Sequence, residues 1–154
     1  ARVSSVTRAQ VRELFAGGVD NWRAVGGADH PINRVLREQG SGTRRIFEEH
    51  LELPEPEGNV VIGDTSGAVR EIVANDRFAI GYVSRGALTD RVRALRIDGE
   101  TCDEERILAR RYPLAHPVWM VTRGAPVGKA ADFIGFVLSD EGRATIRQAG
   151  FVAP

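Results

Sequence analysis

Cysteine is almost absent: Cys102 stands alone in 154 residues. The chain therefore cannot close an internal disulfide or assemble a thiolate metal site. Net charge is also missing. Twenty-one basic residues balance twenty-one acidic ones, which excludes a global field toward nucleic acid or an anionic membrane, so any anion site must be local. No apolar run nears the roughly 20 residues of a membrane span. The opening Ala1-Arg2-Val3-Ser4-Ser5 lacks the apolar stretch of a leader, so a cytoplasmic chain, or one whose leader has been removed, is expected. No low-complexity tract, internal repeat or linker divides the chain. What is present is 42% hydrophobic and 27% charged residues, the composition of an ordinary globular protein of one-domain length, whole or excised from a larger one.

Thr7 is a good N-cap, and Val11, Leu14 and Phe15 share one face; a helix over about 8 to 16 is predicted, stopped by Gly17-Gly18. Turns follow, then a short strand from Pro31 to Leu36, ending at Arg37. The run Gln39 to Thr43 is a loop feeding a helix with Ile46, Phe47, His50 and Leu51 on one side, ended by Pro54 and Pro56. Asn59 to Gly63 reads as a buried strand. Asp64-Thr65-Ser66-Gly67 opens a helix with Val69, Ile72 and Val73 inward. Phe78 to Val83 reads as a second central strand and Val92 to Ile97 as an edge strand. Cys102 to Arg111 reads as a polar helix, Pro117 to Thr122 as a last strand, and Lys129 to Gln148 as one long helix with Gly150 as its cap. Alternating strands and helices predict an α/β fold, a sheet covered on both faces.

The segment Arg37-Glu38-Gln39-Gly40-Ser41-Gly42-Thr43 sets an arginine at a strand end and a Gly/Ser/Thr loop at a helix start. The first turn of a helix leaves N–H groups unpaired and carries partial positive charge, so an oxyanion is held there by several donors. Gly40 and Gly42 permit close approach of the backbone, Ser41 and Thr43 add hydroxyls, and Arg37 offers a charge-assisted bond. A purely structural alternative has Ser41 capping the helix and Arg37 pairing with Glu38 or Glu49. Spacing alone leaves the two open. Thr65 and Ser66 are secondary candidates at another helix start, where simple capping is the more economical role.

Other chemistries fit poorly. Gly40-Ser41-Gly42-Thr43-Arg44-Arg45 has arginine where a dinucleotide fingerprint needs its third glycine, and the Gly124 to Lys129 segment has one residue too few for a Walker loop and no hydroxyl. His30, His50 and His116 have no recognisable nucleophile partner and no metal-ligand spacing, so neither catalysis nor a metal or cofactor is expected. The pairs Arg44-Arg45 and Arg110-Arg111 read as solvated faces. Trp22 and Trp119 read as core or rim residues.

Several segments together resemble the phosphate-binding substrate proteins of ABC importers, which have the type II periplasmic-binding-protein fold. Thr7 to Gly17, Asn21-Trp22 and Val25-Gly26-Gly27 are similar to that family's helix, turn and loop. Arg37 to Arg44 resembles its R-E-x-G-S-G-T-R phosphate loop, and Ala79-Ile80-Gly81-Tyr82-Val83-Ser84 its A-I-G-Y-V-S strand. Tyr112-Pro113-Leu114, the Phe136 to Gly142 stretch and the ending Gly150 to Pro154 also match, in the family's order. The resemblance implies a lobe with a mixed sheet flanked by helices, 1–154 forming one domain that corresponds to the C-terminal part of such a protein. It implies that Arg37, Ser41, Gly42 and Thr43 contact inorganic phosphate. ABC permease subunits are the implied partners, and the implied location is periplasmic or on the cell surface. The family's N-terminal lobe, with its own Ser/Thr donors and an aspartate, has no counterpart in these residues. A sensory module that reports an oxyanion to a partner protein is the alternative function, and an enzyme is not expected.

Overall fold

The computed structural model describes residues 3–56, 58 and 60–153. In chain order the elements are β1 (Ser5–Val6), α1 (Arg8–Ala16), β2 (Asn33–Arg37), α2 (Gly42–Leu51), β3 (Val60–Gly63), α3 (Ser66–Asn75) and β4 (Ala79–Gly81). Then follow β5 (Arg96–Ile97), α4 (Glu104–Leu108), α5 (Lys129–Leu138) and α6 (Asp140–Gln148), with short 3-10 turns at Trp22–Val25 and Arg85–Ala87. The first helix forms as expected. Thr7 Oγ1 accepts from the Gln10 amide (3.0 Å) while Gln10 Oε1 accepts from the Thr7 amide (2.8 Å), a capping box, and Gly17 leaves the helix at φ 98°.

β2 is the centre of a three-stranded sheet of order β3-β2-β4, parallel on both sides. Parallel neighbours need crossovers, and α2 and α3 supply them. The first crossover steps from β2 to one side; the second returns over β2 to the other. With both crossovers right-handed, reversing the step puts the two helices on opposite faces. The packing agrees. Val35 of β2 and Val69 of α3 are fully buried on one face, while Leu36, Ile80, Phe47 and Tyr82 join α1 residues Val11, Leu14 and Phe15 in the larger core on the other. α3 sits very close to the sheet: a Cβ added to Gly63 or to Gly81 would lie 2.7 Å from a Val69 methyl. A separate two-stranded parallel pair joins β1 to β5.

Several expectations are corrected. The segment expected as a buried central strand begins, within the described residues, at Val60; its first residue, Asn59, lies outside them. It is an edge, with Val61 46% and Ile62 45% exposed, and β4 is the other edge. The ladders among the described residues are parallel rather than mixed, antiparallel contact being confined to the isolated bridges Asn21–Pro31 and Ile97–Glu100. Only Arg96–Ile97 of the expected edge strand pairs, and α4 is half the length expected, the chain turning at Arg110 with φ 56°.

Pro117 to Thr122 forms no strand. Val118 is 80%, Trp119 78% and Val121 88% exposed, and the segment joins no ladder among the described residues. The long C-terminal helix is two helices. Ser139 adopts an extended conformation (ψ 166°), its Oγ caps the Gly142 amide at 3.2 Å, and Gly142, where a Cβ would collide with the Phe136 carbonyl, lets α6 fold back on α5. Gly150 follows at φ 82°.

Candidate functional site

The strand order places the candidate residues. β2 and β3 lie side by side, with Arg37 opposite Gly63 at their carboxyl ends, and the chain leaves those ends into helices on opposite faces of the sheet. In open α/β sheets this divergence opens the crevice where ligands bind. Arg37 ends β2, Ser41 caps α2 and Ser66 begins α3, so all three stand around that one crevice. Neither α2 nor α3 carries an acidic residue in its first turn, whereas α4 has Glu104 and Glu105 and α6 has Asp140 and Glu141 in theirs. The dipoles of α4 and α6 are thus answered by their own carboxylates, whereas α2 and α3, like α1, have no such carboxylate.

The Arg37 guanidinium is mostly buried, its side chain 13% exposed. Nε and Nη2 donate to the two carboxylate oxygens of Glu38 (2.9 and 3.0 Å), and Nη1 donates to Ser66 Oγ at 2.9 Å. Three of the five N–H bonds of an arginine are thereby used, and one on each terminal nitrogen has no acceptor among the described residues. The Glu38 carboxyl is held below its ordinary value, chiefly by the hydrogen bonds from Arg37, against an opposing effect of burial. The pairing with Glu38 weighed from the sequence is therefore formed, and the one with Glu49 is not: Glu49 faces Arg45 at 3.9 Å.

Ser41 is buried, and its Oγ accepts from the Arg44 amide at 3.3 Å. A hydroxyl that accepts from an amide keeps its proton to donate, so capping and ligand binding do not compete. Gly40 turns the chain into the helix at φ 91°, a conformation that suits glycine. Gly42 is exposed, with nothing within 4 Å of where a Cβ would stand, and Thr43 is half-buried beside it. The two secondary candidates separate: Thr65 caps α3, its Oγ1 accepting from the Ala68 amide at 3.0 Å, whereas Ser66 reaches Arg37.

Sequence reasoning missed two side chains here. Arg44, read as part of a solvated face, is 8% exposed; its Nε donates to Glu48 (2.6 Å) and its Nη1 to the Arg37 carbonyl (3.0 Å). The i, i+4 spacing of Arg44 and Glu48 was the available signal. Tyr82, buried beyond the end of β4, accepts the Arg37 amide on its Oη at 3.2 Å, and burial pushes its phenol above the ordinary value. The histidines lie elsewhere: His30 stacks on Phe78, and the ring of His50 lies 5.6 Å from that of His116. Trp22 is half-buried, its Nε1 donating to the Phe78 carbonyl at 2.8 Å, while Trp119 is exposed rather than packed.

Known proteins share the sequence and the fold of this chain. The chain is 32% identical over 143 residues to the phosphate-binding protein PstS of Bacillus subtilis, covering 92% of this chain and 47% of the relative. It is 31% identical over 148 residues to the phosphate-binding protein PstS 2 of Streptococcus pneumoniae, covering 90% of this chain and 51% of the relative. The chain thus spans about half the length of these curated relatives. Among solved structures, a protein of Clostridium perfringens described as a phosphate ABC transporter substrate-binding protein, with bound phosphate, superposes with a TM-score of 0.87 at 32% identity, covering 99% of this chain and 64% of that one. A phosphate transport receptor of Vibrio cholerae shares the fold at a TM-score of 0.84 and 23% identity, covering 99% of this chain and 65% of that one. Residues 1–141 match the PBP superfamily domain, and the chain belongs to that superfamily.

Proposed function

We propose that this chain binds inorganic phosphate, as the substrate-binding part of an ABC importer, by holding the anion between Arg37 and the N-terminus of α2. The observation that carries the reading is the convergence of a mostly buried guanidinium and an acid-free helix start at the carboxyl ends of β2 and β3. Ser41 and Thr43 donate their hydroxyls, Gly42 brings its amide to the ligand, and Gly40 shapes the approach. Ser66 steadies Arg37 from α3, and Thr65 serves α3 as its cap. The similarity to a relative with bound phosphate supports phosphate as the anion. Permease subunits of the importer, the remaining half of the relatives' length and a location outside the cytoplasmic membrane belong to the same proposal.

The guanidinium and amides named here only donate, and the hydroxyls donate as readily as they accept, so none of them demands the proton that phosphate carries. Alone, the chain is expected to bind phosphate on the order of millimolar, with little preference over sulfate. Titrating the labelled chain with inorganic phosphate and, separately, with sulfate at low ionic strength tests this by NMR. The amides of residues 41–43 should move with either anion. No response to phosphate sinks the reading; micromolar binding with rejection of sulfate places an acceptor such as Asp64 or Glu38 in the site.

A further inference from the structure

The last residue pair between β2 and β4 is Val35 with Gly81, so Arg37 lies beyond the end of that ladder. Side chains take over there. The Arg37 N–H donates to Tyr82 Oη at 3.2 Å, and the Arg37 carbonyl accepts from Arg44 Nη1 at 3.0 Å. Both side chains are anchored to α2. The Tyr82 ring stacks on Phe47 with centroids 4.0 Å apart and planes within 15°, and Arg44, itself in α2, is locked by Glu48. Residue 44 also gives its amide to Ser41 Oγ, so it touches the strand end and the helix cap at once.

A buried guanidinium is a costly way to fill space, since apolar residues of similar volume often stabilise a fold as well. Its distinguishing property is rigid, directional donation. We propose that Tyr82 and Arg44 are positioning residues: they clamp the main chain of Arg37 to α2 and so fix the guanidinium relative to the N–H groups of that helix. The proposal rests on the reading that Arg37 holds the anion.

Phosphate titration of Tyr82→Phe, Arg44→Met and Arg44→Lys, followed by NMR with the Arg37 Nη–H resonances assigned, tests it. Tyr82→Phe keeps the ring stack and removes only the hydroxyl, so it remains informative should Arg44→Met fold poorly. Expected is a loss of phosphate affinity of roughly two- to ten-fold, the range for one hydrogen bond, in Tyr82→Phe and Arg44→Met, with partial recovery in Arg44→Lys. The phosphate-induced shift of the Arg37 Nη–H resonances, extrapolated to saturation, should shrink in both while the amides of residues 41–43 still respond. An unchanged saturating shift at Arg37 overturns the clamp, whatever the melting temperature does. If Arg37 is silent in the wild type while those amides respond, the assignment of Arg37 fails and the clamp with it; if nothing responds, phosphate binding itself fails.

Discussion

Arg37 donates to Ser66 Oγ at 2.9 Å across 29 residues of sequence, tying the end of β2 to the start of α3. Residues that reach the crevice from α2, from β2 and from α3 are therefore one connected group, and substitutions in it have separable consequences.

Arg37→Ala should weaken phosphate binding by about 1.5 to 3 kcal/mol, the range for a hydrogen bond to a charged group, in a chain that still folds. Phosphate titration followed by NMR and a melting curve measure the two. Unchanged affinity in a folded variant would return Arg37 to a purely structural pairing with Glu38.

Thr65 and Ser66 should part company. Thr65→Ala removes an N-cap and is expected to lower stability by about 0.5 to 2 kcal/mol with little change in affinity. Ser66→Ala leaves that cap in place and should cost affinity instead, by about 1 kcal/mol. Chemical denaturation beside anion titration separates them; the reverse pattern would make Thr65 the ligand-side residue.

Gly42→Val should reduce binding more than Gly18→Ala. Open space surrounds Gly42, so a side chain there meets the ligand rather than the protein, while a methyl at Gly18 meets the movable carboxylate of Glu13. Titration of both variants decides it, and equal effects would argue against an anion at the start of α2.

Glu38 sets an acid limit. Its folded value lies below the ordinary 4.5, so the pairing with Arg37 contributes above that ordinary value and is lost as pH falls through the lowered one. Carboxyl NMR should find the Glu38 midpoint below 4.5 in the wild type, moving upward in Arg37→Ala. A midpoint unmoved by that substitution would show that Arg37 is not its cause.

Much of this was legible in local pattern. Thr7, Ser41 and Thr65 mark helix starts through short-range capping, and the segment from Arg37 to Thr43 stands where its residue types place it. What was not legible is what depends on partners distant in sequence. Val60–Gly63 and Ala79–Gly81 are as apolar as central strands, and nothing in either segment says that β2 separates them. Arg44 looked solvated because its burial and its bond to the Arg37 carbonyl arise only when α2 lies over β2, although its pairing with Glu48 is local. The break at Ser139 was missed because the segments on both sides of it are helical, and only the local serine cap marks the turn between them.

The seat of α3 on Gly63 and Gly81 gives the crevice a stiff wall. Side chains between a helix and a sheet can yield by changing rotamer, but here Val69 meets main chain on both edge strands, with no soft layer between. Repulsion at such contacts rises steeply over a few tenths of an ångström. Sliding or tilting α3 is therefore resisted by hard cores, and the separation of Ser66 from Arg37 should vary little with temperature or pressure, as a gauge block holds its length.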